Sequence, residues 1–370
     1  MFLSDRVLGG GWGLAEVFCR PICLIYCVAN WYNAFLKEGE VVRKPFIILL
    51  AVCALLPASA AIAGGFNKNI VSGDANWVAH VDVEGFNNSA IGRIIRRHLD
   101  ETGKLQKLEA FKAVFSFHPL DDIRGVTIYG RGKEKENAVA VIQAKFDKET
   151  LLKLLGQNAT HKEIKYGKYQ IQSWIDDKHK GNEDERQYGS FHGADTVVMG
   201  TGLDAVRKSL DVLDGEAKNA RQKKVFRLLR KAPRGAVVVA AANGLGKMAE
   251  QWDRAVMLKN TNQSCLLIGE TEGAFYIDLK LDATSSETAA ELTQMIQGVI
   301  ALLNLTGRDQ PKVAELAAAI KLTTKKKLVH MHFEKDVEEM GAILRAEWEK
   351  QQAQKSEKSK ACTKPQKKDK

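Results

Sequence analysis

The sequence predicts an α+β protein in which two diverged repeats, each an antiparallel sheet covered on one face by helices, follow an N-terminal signal sequence. Three observations predict this fold. A short apolar segment that ends in small residues follows an Arg-Lys pair. Strand-like alternation and helix-like spacing of apolar residues occur in an order that appears twice along the chain. Adjacent strand patterns are separated by short polar loops, which favours hairpins over the crossover helices of a parallel sheet.

The segment 43–63 has the three parts of a bacterial secretory signal. Its positive, apolar and small-residue parts are residues 43–44, 46–56 and 58–63. Ala61 and Ala63 form the small-x-small pattern that a signal peptidase accepts, which places cleavage before Gly64. We therefore expect the mature protein to be exported, to the periplasm, the cell envelope or the medium.

The same segment has a second interpretation, a retained membrane anchor. Residues 45–63 are about long enough to cross a bilayer as a helix that rises about 1.5 Å per residue. With the basic pair inside, either interpretation places the C-terminal body outside the cytoplasm. Residues 1–42 precede the signal, and we interpret them as a mis-assigned start, with Val41 or Val42 as the initiator, or as an extra N-terminal segment.

The first predicted repeat is residues 75–216. It begins with a strand at 77–83 and a helix capped by Asn88 or Ser89. The elements that follow are a helix at 104–115, strands at 123–130 and 138–146, a helix at 148–155, strands at 169–175 and 196–200, and a helix at 203–213. The polar loop 131–137 favours a hairpin, and the hydrophilic stretch 176–187 is predicted to be a connection.

The second predicted repeat is residues 235–350, after a basic connector at 217–234. Its matching elements are strands at 236–239, 266–270 and 275–281, a helix that opens at 287–288, a strand that begins at 328–329 and a helix at 337–344. The last two align without gaps on residues 197–198 and 206–213. Residues 351–370 are rich in lysine and are predicted to be a disordered tail.

The formal net charge of +10 at pH 7 is concentrated at the C-terminus. Residues 351–370 hold seven Lys against Glu357 and Asp369, and residues 1–63 contribute one net positive charge, so only four remain for residues 64–350. A body this weakly basic does not favour a nucleic-acid partner, and export would remove that partner.

Cysteine usage excludes a disulfide framework. Four of the six cysteines precede the cleavage point, which leaves Cys265 in the body and Cys362 in the tail. Because Cys265 begins the apolar run 265–268, we expect it to be a buried hydrophobic residue rather than a nucleophile.

Four short segments resemble a set of uncharacterised exported proteins of planctomycete-type bacteria. They are DIRGVTIYG at 122–130, YG at 188–189, VVMG at 197–200 and LDVLDG at 210–215. The resemblance covers about residues 75–215 and implies an exported α+β protein. It implies no activity and no catalytic residue, because these motifs are typical of strands, turns and a helix end.

His330 and His332 are the most specific candidate for chemistry. On a strand, both imidazoles and Glu334 point to one face. Two histidines and a carboxylate are ligands for zinc or a similar ion. The sequence favours a solvent-facing strand edge with no metal and leaves metal binding as the alternative, since no further ligand stands at a fixed spacing and the matching positions of the first repeat are Met199 and Thr201.

The other motifs favour structural roles. NGLGK at 243–247 lacks the Ser or Thr that a phosphate loop has after its lysine, and the acid pairs at 121–122 and 176–177 are typical of turns. Basic residues at 218–234 predict a helix whose apolar side is Val225, Leu228 and Leu229. This segment is interpreted either as a solvated connector or as a face that meets an anionic polymer or lipid.

These patterns predict an exported, non-enzymatic binding or cell-envelope interaction protein with no cofactor. They contain no usable form of the hydrolase motifs G-x-S-x-G, H-E-x-x-H or S-x-x-K, which place a Ser nucleophile or a metal-bound water for attack. One alternative is a metal-dependent enzyme that uses His330 and His332. A second is adhesion to anionic envelope polymer or lipid through the basic segment. Membrane contact is expected only through residues 45–63, if they are not cleaved.

Overall fold

The structure of the protein is a computed structural model that describes residues 65–132, 134–175, 182, 185–231, 235–244, 260–306 and 311–362. For residues 230, 231, 306 and 351–362 it describes the backbone alone. The signal segment 43–63, with Ala61, Ala63 and Gly64, and residues 1–42 therefore lie outside the described residues.

The described residues form one antiparallel sheet of twelve strands. The strands are β1 Trp77–Asp82, β2 Ile123–Gly130, β3 Ala138–Ala144, β4 Lys162–Tyr166, β5 Tyr169–Ile175, β6 Arg186–His192, β7 Thr196–Gly200, β8 Ala236–Asn243, β9 Thr261–Thr271, β10 Ala274–Ala283, β11 Ile320–Lys325 and β12 Leu328–Asp336. Their order across the sheet is β11-β12-β10-β9-β8-β1-β2-β3-β7-β6-β5-β4. The central β1–β8 pair joins the strands of the two predicted repeats into a single sheet.

Eight α-helices in the described part of the chain accompany the sheet, which confirms the α+β class. They are α1 Val83–Asn88, α2 Ala90–Glu101, α3 Lys104–Phe115, α4 Lys148–Leu155, α5 Leu203–Asp214, α6 Ser286–Thr306, α7 Pro311–Ala318 and α8 Val337–Cys362. No helix among them combines the length and the apolar composition that crossing a bilayer requires.

Local capping chemistry sets several boundaries. Ser89 caps α2 by accepting a hydrogen bond from the Gly92 amide at 3.0 Å, as predicted. Asp82 accepts from the Gly85 amide, so the first strand ends at Asp82 and Val83 already belongs to α1. The predicted strand end at residue 83 was therefore one residue late.

The sheet buries an apolar layer on both of its faces. We call the face that carries Val78, Val198 and Leu267 the front face; α5 and residues 220–229 pack against it. The back face carries Phe275 and Phe333, which pack with α2, α7 and α8. On the same side, α6 covers Leu281 and Val329, and Leu155 of α4 packs over Ile142. The prediction that each repeat is covered on one face is therefore wrong for the first repeat, because α4 and α5 lie on opposite faces.

Three strands were not predicted because their sequences are polar. β4 is an edge strand with exposed lysines, β11 is the opposite edge, and β6 buries Arg186, Gln187 and Ser190. The Arg186 guanidinium donates to the Thr160 carbonyl at 3.1 Å, which offsets the cost of burying it. The hydrophilic stretch 176–187 is thus in part a strand, and its remainder lies outside the described residues apart from Asn182 and Glu185.

The basic connector and the lysine-rich tail also differ from expectation. In the described part of the connector, residues 217–231, the one helical segment is the short 3-10 helix Arg227–Lys231, because Lys224 and Phe226 adopt left-handed backbone angles (φ 54° and 53°) that interrupt an α-helix. In the tail, α8 continues to Cys362 instead of ending near Leu344. Glu, Lys, Gln and Ala fill this extension, and these residues have high helix propensity.

Candidate metal centre

Strand β12 brings the two predicted histidines onto the front face. Side chains alternate across a strand, so His330, His332 and Glu334 share one face while Val329 and Phe333 are buried on the other. Strand β12 is not the edge of the sheet, because β11 lies beyond it. The expectation of a solvent-facing strand edge is therefore wrong, and the histidines are half-buried in an inner strand.

The adjacent strand β10 supplies a carboxylate that the spacing of the sequence did not reveal. Asp278 is the direct cross-strand partner of His332, and Lys280 is the partner of His330. Directly opposed residues project to the same side of a sheet. Asp278 thus joins the histidines on the front face and is a further candidate ligand that spacing along the chain did not identify.

The three side chains converge on one carboxylate oxygen. The Oδ1 atom of Asp278 lies 2.6 Å from Nε2 of His330 and 3.0 Å from Nδ1 of His332. One ligand atom from each residue lies within 4.8 Å of the other two. The second nitrogen of His332, Nε2, lies 3.3 Å from Oε2 of Glu334, so each ring nitrogen of His332 faces a carboxylate. The site is therefore built as a row of alternating basic and acidic groups along the sheet.

The electrostatics favour an ionised Asp278. Burial pushes the pKa of Asp278 upward, but hydrogen bonds from His330 and His332 and the positive charge of Lys280 outweigh it, and the net pKa is lower than its ordinary value of 3.8. The Lys280 ammonium lies 3.8 Å from Oδ2 of Asp278. A carboxylate of this kind is charged at neutral pH and is poised to hold a cation.

The imidazoles are more exposed than the carboxylate, so an ion can reach the site from the solvent on their side. The side chain of Asp278 is 10% exposed, while those of His330 and His332 are 32% and 28% exposed. Opposite Asp278 and Lys280, on β9, lie Leu267 and Cys265, both fully buried. The carboxylate thus stands beside an apolar wall, and the imidazoles form the open side.

Cys265 takes no part in this chemistry. Burial raises the pKa of its thiol to about 11, although the charge of Lys280 acts in the opposite direction. The thiol is therefore neutral at neutral pH and belongs to the same core cluster as Leu267. The prediction that Cys265 is a buried hydrophobic residue is confirmed.

The arrangement of donors fits a tetrahedral metal ion after a small adjustment. Zinc–nitrogen and zinc–oxygen distances of about 2.0–2.2 Å place tetrahedral ligand atoms about 3.3 Å apart. The observed separations of 2.6 Å and 3.0 Å from Oδ1 to the two nitrogens are shorter by less than about 1 Å. The two imidazole nitrogens lie within 4.8 Å of each other. Loss of the two N–H protons, with movement of the side chains to equal separations, would turn this hydrogen-bonded cluster into a three-ligand cation site.

The remaining motifs have structural roles where they are described. Asp121 pairs with the Arg96 guanidinium at 2.5 Å, and Asp122 accepts a hydrogen bond from the His118 amide, as turn residues do. Gly244 ends β8 in a left-handed conformation. The rest of the 243–247 loop after Gly244, and the acid pair 176–177, lie outside the described residues.

One signal in the sequence pointed to Asp278. Residues 274–283 alternate polar and apolar side chains, so Asp278, Lys280 and Asp282 share a face. Polar residues on one side of a strand are ordinary in an antiparallel sheet, and the pattern does not say which strand lies beside it. Only the pairing of β10 with β12 makes Asp278 part of a site.

The chain is similar to solved structures at low sequence identity. No protein-family model and no curated protein matches the chain. Among solved structures, crystal form III of TP0453, a Treponema protein, is 12% identical with a TM-score of 0.44, and the match covers 77% of this chain and 100% of that one. Crystal form I of TP0453 is 11% identical with a TM-score of 0.41 over 78% and 98% of the two chains. None of these findings bears on the resemblance to planctomycete-type proteins, which stays a prediction.

Proposed function

We propose that this protein is an exported binding protein and that Asp278, His330 and His332 bind one divalent transition-metal ion. The convergence of a carboxylate oxygen and two imidazole nitrogens within 4.8 Å carries the proposal. A set of nitrogen and oxygen donors suits Zn²⁺ and its first-row neighbours better than Ca²⁺ or Mg²⁺, which prefer oxygen alone. Zn²⁺ is therefore the appropriate probe.

The scaffold favours binding at a fixed geometry. All three ligands stand on two directly hydrogen-bonded strands in the interior of the sheet, not on loops. The back side of the same strands is packed by Ile277 and Phe333, which are about 1% exposed. A site whose backbone is held in this way loses little conformational freedom when the ion arrives.

The surroundings favour metal binding over metal-dependent catalysis. Cavities of about 530 Å³ and 540 Å³ are lined by other residues, around Asp82 and Glu270 in one case and around Glu136 and Arg186 in the other. An enzyme of small substrates places its catalytic groups in such a concave pocket. The metal site lies on a sheet face with half-exposed imidazoles, which suits a binding or structural ion.

Metal analysis of the purified protein tests this function. We expect about one zinc per chain after dialysis, with loss of that zinc in the double variant His330→Ala, His332→Ala and in Asp278→Ala. The matched control is His161→Ala, because His161 pairs with Gln172 elsewhere in the sheet at 2.7 Å. Zinc retained by the double variant at the wild-type stoichiometry would show that the three residues are not the ligands.

Export is proposed on the strength of the signal-like segment 43–63. A reporter fused after Lys370 should be active only outside the cytoplasm, and N-terminal sequencing of the mature protein should begin at Gly64 if the segment is cleaved. A reporter active only in the cytosol would contradict the proposal.

The two-repeat architecture is part of the same proposal, and strand order supports it. From the central pair outward, one half runs β1-β2-β3-β7 and the other β8-β9-β10-β12. The final helices differ, because α5 packs on the front face near Val198 and α8 packs on the back face near Phe333. The predicted alignment of Val198 with Val329 places these two valines on opposite faces, so the repeats, if duplicated, diverged in their last strand and helix.

A further inference from the structure

We infer that residues 218–227, which we call the basic loop, form a binding surface for an acidic polysaccharide. Five cationic side chains of this segment are exposed: Lys218, Arg221, Lys223, Lys224 and Arg227. Within the described residues none of the five lies within ion-pair distance of a carboxylate. This surface is independent of the metal site and of its proposed function.

The fold holds the basic loop in one conformation. The Ala220 amide donates to the Val71 carbonyl at 2.8 Å, and the Gly73 amide donates to the Lys218 carbonyl at 2.8 Å. The Lys68 ammonium donates to the Phe226 carbonyl at 2.7 Å. These contacts tie the loop to the first described residues of the chain, so its cations are displayed without a large ordering cost when a ligand binds.

Two residues of the basic loop have strained backbone conformations, and exposed cationic side chains lie on either side of the buried ring between them. Lys224 and Phe226 have φ values of 54° and 53°, which are uncommon for residues other than glycine and strain the backbone. The two turns bury Phe226 and leave Lys224 and Arg227 exposed on either side of it. Persistent strain that directs neighbouring charges outward is typical of a functional surface.

The exposed groups of the basic loop favour an acidic polysaccharide over an anionic lipid or a nucleic acid. Of the apolar side chains of the loop, Ala220 and Phe226 are at most 1% exposed and Val225 is partly buried against the same core, so none is fully exposed for insertion among lipid tails. For the same reason it offers no exposed aromatic ring on which a nucleic-acid base could stack. The exposed side chains of the loop are the five cations and Gln222, and such charged and hydrogen-bonding groups suit a polymer of carboxylated or sulfated sugars.

Binding of acidic oligosaccharides to the full-length protein tests the inference. We would measure the affinity for a sulfated and for a carboxylated oligosaccharide of equal length, at low and at physiological salt. The triple variant Arg221→Glu, Lys223→Glu, Arg227→Glu should lose about tenfold or more in affinity, and the wild-type affinity should fall steeply as salt is added. The neutral triple variant with Gln at the same positions should show an intermediate loss.

The matched control reverses the same number of charges elsewhere. Lys104, Lys107 and Lys112 lie exposed on α3, and changing all three to Glu alters the net charge equally. Retention of affinity by the α3 variant within about threefold would assign binding to the basic loop. An equal loss in both variants would overturn the inference, because net charge alone would then explain binding. Tighter binding to vesicles of anionic lipid or to single-stranded DNA than to either saccharide would overturn it as well.

Discussion

Lys280 provides a sharp test of the metal centre, because its charge opposes the ion that the site is proposed to hold. Its ammonium lies 3.8 Å from Oδ2 of Asp278, and its side chain is 18% exposed. Because so little of the side chain is exposed, water screens its charge only in part while the ammonium stays beside the carboxylate. Replacing it by Met keeps the length and the packing of the side chain and removes the charge. We therefore expect Lys280→Met to bind Zn²⁺ more tightly than the wild type.

The size of the effect follows from the distance. An ion on Oδ1 of Asp278 would lie about 5 to 6 Å from the ammonium nitrogen, and with an effective dielectric constant of about 40 to 80 the repulsion between a single and a double positive charge is about 1.5 to 3 kcal/mol. This energy corresponds to an affinity gain of about ten- to a hundredfold. A competition titration against a chromophoric zinc indicator at constant pH measures it.

Lys280→Arg is the control, because it keeps the charge at nearly the same position. We expect its zinc affinity to stay within about threefold of the wild type. If Lys280→Met binds zinc no more tightly than Lys280→Arg, the electrostatic account of the site is refuted. If the wild type binds no zinc, the metal proposal itself fails, so the two failures are distinguishable.

Three further predictions concern stability. Gly202→Ala should lower the free energy of unfolding by about 3 kcal/mol or more, because the added Cβ would lie 1.9 Å from the Glu136 carbonyl oxygen. Urea denaturation measures this change, and a neutral effect would refute the prediction. Gly298→Ala should raise stability by about 0.5 to 1 kcal/mol, since Gly298 lies inside α6 with nothing within 4 Å of the added methyl, and destabilisation would contradict this. Asp214→Asn should cost about 1 kcal/mol at neutral pH. Burial raises the pKa of Asp214, but hydrogen bonds from a lysine, a tyrosine and a histidine bring it below its ordinary value of 3.8. A lowered folded-state pKa gives stability that is complete above the unfolded-state value and is lost as the pH falls through the folded one, so the variant and the wild type should converge in acid. Asp204→Asn, a carboxylate with 93% exposure, is the control and should change little at any pH.

Much of the fold was predictable because local chemistry decides it. The hairpin of β2 and β3, the cap at Ser89 and the start of α4 after Asp147 follow from turn residues, capping side chains and apolar periodicity. The three strands that were not predicted have polar faces or lie at edges, and their stability comes from neighbours distant in sequence. Arg186 illustrates this, because Thr160 and Ser173, which lie on other segments of the chain, accept hydrogen bonds from its buried guanidinium.

The candidate site also has one part that the local sequence predicts and one part that depends on strands distant in sequence. The period of a strand predicted that His330 and His332 share a face, and the structure confirms it. The identity of the third ligand depended on which strand pairs with β12, and the register that sets Asp278 opposite His332 is a property of the whole sheet.

By itself the sequence determined the α+β class, most of the secondary structure, the buried state of Cys265 and the grouping of the two histidines, since each depends on neighbours within a few residues along the chain. The tertiary structure decided which residues meet. It joined the strands of both predicted repeats into one sheet, placed the final helices on opposite faces, anchored the basic loop to the core and brought Asp278 to the histidines. The physical reason is that strand pairing and packing on a face are non-local, and a period along the chain carries no information about the partner across it.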